Sequence, residues 1–137
     1  MPTTQSPVLP DHILGAVLFL AQKQLLEKDS TRKRLEFRVY DFKLQDIFKT
    51  LQKTHPILNA FVFTDHGPEP YSPALEESVS RLQLSGLIGR ENPDYEVVFV
   101  QQTAGRFYEQ VLHKELADNL ADLTNVASQF LEMIEVV

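Results

Sequence analysis

Four histidines, His12, His55, His66 and His113, are the side chains of this 137-residue chain best suited to moving a proton or holding a metal ion near neutral pH. No two of them stand at the spacing that places a pair of ligands on one face of a helix. Asp65-His66 beside Gly67 is an acid-base pairing by type, yet Asp65 to Pro70 is a run of turn formers that accounts for these residues as a loop. The absence of cysteine removes thiolate nucleophiles, cysteine-based zinc sites and disulfides. The five glycines form no phosphate-cradling loop, and no serine lies in a Gly-x-Ser-x-Gly elbow. The expectation is a non-enzyme without metal or cofactor.

Binding is the alternative to chemistry, and two groups of residues could carry it. Lys28, Arg32, Lys33, Arg34 and Arg38 form a basic cluster. With Arg90 further along, Arg32, Lys33, Arg34 and Arg38 are candidate contacts to phosphate or to an acidic protein surface. The competing account is solvated loop charge. The formal net charge of -6 works against generic polyanion binding, which depends on Lys and Arg neutralising phosphates. From Ser72 to Tyr95 the acids Glu76, Glu77, Glu91 and Asp94 outnumber Arg81 and Arg90, an unfavourable balance for reading a DNA groove. The second group is apolar. Leu116, Leu120, Leu123, Ala127, Phe130, Ile134 and Val137 alternate four and three residues apart, the spacing of a seam that faces another helix. Either the first helix of the same chain or a second chain covers it; His113 falls on the same seam. Phe19, Phe107 and Phe130 are candidate lining for a small-molecule pocket, or plain core.

These groups must be positioned by an ordinary fold. The size and a 43% hydrophobic composition suit one domain. Met1 to Pro10 holds three prolines and no basic residue, and is expected to be a disordered leader rather than a secretory signal. The apolar run Ile13 to Ala21 is short of the roughly 20 residues of a membrane span. It predicts a central helix capped by Asp11 and fading near Lys28, where Asp29, Ser30 and Thr31 favour a turn. Leu35 to Val39 alternates as a short strand. Asp41 is placed to cap a second helix with Leu44, Ile47, Phe48 and Leu51 on its apolar face, stopped at His55-Pro56. Ile57 to Thr64 fits a strand, or a short helix in its first half. Ser72-Pro73 predicts a third helix with Leu75, Val79 and Leu82 inward, ended by Gly86 in a left-handed conformation. Leu87 to Val100 reads as a β-hairpin turning at Glu91 to Asp94, and Thr103 is expected to cap a last helix running to about Glu135.

The stretch Leu82-x-x-x-Gly86-Leu87-Ile88, the hairpin and Thr103-x-Gly105-Arg106 resemble the helix, wing and helix unit of winged-helix proteins, particularly PadR-like and MarR-like regulators. The glycine after Thr103 falls one place early for that pattern. Phe61-Val62-Phe63, Gly67-Pro68, Tyr71-Ser72-x-x-Leu75 and Gly86-Leu87-Ile88 also resemble the SocA-like, or Panacea-type, antitoxin domain, with Glu69-Pro70 interrupting its compact form. The resemblance implies a mainly α (α+β) fold: a leader 1–10, a winged-helix-like domain 11–103 with a hairpin wing, and a long C-terminal association helix 104–137. The resulting expectation is a non-catalytic protein-interaction module, antitoxin-like or an adaptor in a regulatory or defence complex, and the lack of cysteine, which leaves no need of an oxidising compartment, makes the cytoplasm its expected place. Its partner is a protein or a second copy bound through the C-terminal helix, with no membrane. The alternative is a dimeric DNA-binding transcription regulator.

Overall fold

The computed structural model describes residues 9–39, 43–64, 70–91 and 97–137. The leader residues 1–8, the Asp41 cap, the Asp65 to Glu69 loop and the hairpin tip lie outside the described residues.

Helix α1 (Pro10–Lys28) starts on proline, whose missing N–H costs nothing at the first helical position. Leu9, with extended backbone, precedes it and no side chain caps it. Asp11, expected as the cap, is instead inside the first turn, because Pro10 sets the helix start two residues earlier than that cap would. Ile13, Leu14, Ala16, Val17, Leu18, Leu20 and Ala21 are all buried, so α1 is enclosed on nearly every side. It ends as expected at Asp29, whose Oδ1 accepts from the Thr31 N–H at 3.1 Å in a tight turn.

Strand β1 (Glu36–Arg38) turns Phe37 into the core. Helix α2 (Lys43–Gln52) buries Ile47, Phe48 and Leu51, and a 3-10 turn follows at Pro56–Ala60. Helix α3 (Pro73–Leu84) has the expected cap, the Ser72 hydroxyl accepting from the Leu75 N–H at 3.3 Å. Gly86, at φ 82°, supplies the left-handed stop. The hairpin is β2 (Ile88–Glu91) and β3 (Val97–Val100), antiparallel with Ile88 opposite Val100. Gly89 opposes Phe99, and a Cβ at Gly89 would land in the Phe99 ring, so this position admits only glycine unless that ring moves.

Beyond the hairpin, the single expected helix is interrupted. Helix α4 (Gln102–Phe107) passes through a π-helical turn, Tyr108–Leu112, into the short α5 (His113–Glu115). Leu116 then leaves helical geometry at φ -105° and ψ 15°, and a 3-10 turn, Ala117–Asn119, leads to α6 (Leu120–Met133). Asp118 and Asn119 compete for backbone hydrogen bonds and favour such breaks. A straight helix of this length would span about 45 Å; the break lets α4, the π-helical turn and α6 all pack on α1. The last residues form an unexpected strand, β4 (Glu135–Val136), antiparallel to β1. Among the described residues the chain is therefore mainly helical with a small antiparallel sheet, ordered β2-β3-β1-β4.

The expected boundary at 103/104 is not a packing boundary. Leu112, Leu116, Leu123, Ala127 and Phe130 share one core with Leu14, Val17, Phe37 and Phe48. Phe130 meets Phe37 edge-on at 5.5 Å and Phe48 at 5.6 Å between ring centres.

Three glutamines splint the connecting segments. Gln22 accepts from the Leu35 N–H at 2.8 Å. The buried Gln45 accepts from the Ser72 N–H at 2.7 Å and donates to the Ser72 carbonyl at 3.3 Å, an imitation of strand pairing by a side-chain amide. Gln52 donates to the carbonyls of Leu58 and Phe61 at 3.0 and 2.6 Å.

Candidate functional site

The end of the sheet where β1 begins and β3 stops is an open groove of about 930 Å³. Two backbone links assemble it. The Val100 N–H donates to the Leu35 carbonyl at 3.1 Å, and the Gln101 N–H donates to the Leu87 carbonyl at 2.9 Å. These bring the segment after α1 against the start of α4, so Arg32, Lys33, Arg34 and Arg106 line one groove. Gln22, Gln101, Gln102 and Thr103 add amide and hydroxyl groups, and Glu36 adds a carboxylate. Thr103, expected to cap the final helix, instead donates its hydroxyl to the Gly86 carbonyl at 2.6 Å, because α4 starts two residues earlier than that cap would set it, after Gln101.

The four cations are not equivalent. Arg32 is 3.2 Å from Asp29 and donates to the Val137 carbonyl at 2.6 Å. Hydrogen bonds from the Thr31 hydroxyl and N–H, with the nearby Arg32 charge, hold the Asp29 carboxyl below its ordinary value. Arg34 pairs with Glu36 at 2.7 Å and lies over the Phe99 ring at 3.9 Å. Lys33 and Arg106 are exposed, and among the described residues neither has an ion-pair partner.

The other expected phosphate contacts are elsewhere. Arg38 is 3.6 Å from Glu135 of β4. Arg90 pairs with Val98 in the hairpin and shares the inward face with Ile88; its Nε is buried and has no hydrogen-bond partner among the described residues. Its register points it at the core edge rather than at a phosphate.

The apolar seam is core. Leu116, Leu123, Ala127 and Phe130 are at most 1% exposed, and Leu120 and Ile134 are half-buried against the same cluster. Helix α1 of the same chain packs on α6 and covers most of that seam, while Val137 at its end is exposed. Of the proposed aromatic lining, Phe19 stacks on Tyr108 at 4.4 Å, Phe130 is enclosed by Phe37 and Phe48, and only Phe107 borders a small cavity of about 10 Å³. That space admits about one water molecule.

The histidines are dispersed: His12 is 2.8 Å from Glu115, His55 is 3.0 Å from Gln129, and His113 is 3.2 Å from the Tyr108 carbonyl. His66 lies outside the described residues.

On α3 the outward residues include Glu76, Glu77 and Arg81. Arg81 stays exposed but is engaged by Asp11, to which it donates at 2.6 and 2.9 Å, while the Ser78 hydroxyl donates to the same carboxylate at 2.6 Å. Burial alone would raise the Asp11 carboxyl, but the hydrogen bonds from Arg81 and Ser78 and the Arg81 charge outweigh it and hold the group below its ordinary value.

Sequence reading found Arg32, Lys33 and Arg34 but not their meeting with Arg106, Gln101 and Gln102. The pairing of β1 with β3 joins segments some 60 residues apart, and local periodicity carries no trace of it. Among the described residues no helix is long and apolar enough to cross a membrane, and no group of His, Asp or Glu could hold a metal ion. In comparisons with known proteins, no family model, curated protein or solved structure matches the chain.

Proposed function

We propose that the chain is a non-catalytic, winged-helix-like protein-interaction module, antitoxin-like or an adaptor in a regulatory complex. The winged-helix part of this reading is supported by the order helix, strand, helix, helix, hairpin, with β1 added antiparallel to β3. The observation that carries the choice of a protein partner is the face of α3. In a helix-turn-helix arrangement the helix in this position reads the major groove; here it presents Glu76 and Glu77, and its cation Arg81 is engaged by Asp11. Carboxylates at that position repel the phosphates that supply most DNA affinity.

A second reading, a DNA-binding regulator, is favoured by Lys33 and Arg106 in the groove. One pair of experiments separates the two. A tagged chain recovered from its own cells should retain a protein partner in fixed stoichiometry, and a mixed-sequence DNA duplex should show no retention in a gel shift at about 50 mM salt. Tight, salt-sensitive duplex binding with no protein partner overturns the interaction reading.

A further inference from the structure

The groove between the end of α1 and the start of α4 has its charges arranged unevenly, and that unevenness specifies a ligand. Arg32 and Arg34 are matched by Asp29 and Glu36, while Lys33 and Arg106 line the same groove and are exposed. We infer that the groove docks an acidic, extended peptide segment of the partner, with carboxylates on Lys33 and Arg106. This rests on the protein-interaction reading and adds the chemistry of the segment recognised.

Three observations favour a peptide. First, Gln101 and Gln102 line the same groove, and amides both donate and accept. A peptide backbone offers N–H and C=O to match them, whereas a phosphate backbone offers acceptors alone. Second, the groove is open to solvent, in contrast to the enclosing pockets that bury most of a small ligand. Third, the net charge is -6, so a long polyanion running beyond the groove meets a repelling surface, while a short segment touches only the basic patch. Phe99, with Arg34 across its ring, lies on the sheet face beside Glu36, adjoining the groove.

The test is fluorescence anisotropy of a labelled Glu/Asp-rich peptide titrated with the full chain. A single-stranded oligonucleotide of equal charge serves as comparison. Charge reversal in the double variant Lys33→Glu/Arg106→Glu should weaken peptide binding by about tenfold or more, since like charges then face each other. Lys53→Glu, at an exposed lysine outside the groove, should leave binding unchanged. The neutral double variant Lys33→Gln/Arg106→Gln should fall between, which separates charge recognition from damage to the fold. The inference is overturned if the peptide does not bind the wild-type chain, if charge reversal leaves binding unchanged, or if the oligonucleotide binds more tightly than the peptide. A native protein partner retained equally by the reversed variant also overturns it, while leaving the interaction reading standing. A wild-type chain that retains no protein partner removes that reading itself.

Discussion

The apolar seam of α6 and the basic segment after α1 were both marked by their residue types as places for a partner, and they met opposite fates. The seam is closed by α1 within the same chain, with Leu123, Ala127 and Phe130 fully buried. The basic segment remains at the surface and gains Arg106 from a distant part of the chain. Apolar periodicity reports that a face must be covered without saying by what. A run of cations is under no such pressure, and keeps its access to solvent.

Substitutions in the two regions should therefore separate stability from binding. Phe130→Ala should cost about 3–5 kcal/mol, since it empties a ring-packed core site. Its midpoint in thermal melts should not depend on protein concentration. A concentration-dependent midpoint would mean that a second chain shares the seam. Gln45→Ala, which strands the buried Ser72 N–H, should cost about 1–3 kcal/mol in urea unfolding.

Arg81→Met sharpens the contrast through pH. The folded Asp11 carboxyl lies below its unfolded value, so its contribution is present above the unfolded value of about 3.9 and is lost as pH falls through the lower folded one. The variant should be less stable than wild type near neutral pH, with the gap closing as pH falls below the unfolded value of about 3.9, as followed by urea titrations. A gap that stays constant would mean that Arg81 acts through packing alone. The smallest effect belongs to the groove: Lys33→Glu/Arg106→Glu should change unfolding free energy by no more than about 0.5 kcal/mol, because both side chains are exposed.

What could be read from the chain was whatever is encoded locally. Ser72-Pro73 opens α3 and Gly86 closes it because cap chemistry and left-handed backbone are properties of single residues. The strand at Phe37 and the hairpin followed from alternation and turn formers. The break at Leu116 was not legible, because its apolar neighbours keep a continuous heptad pattern across it. Strand β4 was hidden for a related reason: Glu135 and Val136 take extended form only because β1 offers an edge to pair with. Half of the candidate site was legible as a cation run. The other half needed the register of β1 on β3, which joins Leu35 to Val100.

The glutamine splints have one further implication. Gln22, Gln45 and Gln52 fasten their segments with neutral amides that neither titrate nor are screened. Added salt should then silence the groove while the frame around it holds its shape. Ionic strength becomes a reversible control on this molecule, able to release an acidic partner without loosening the scaffold that presented it.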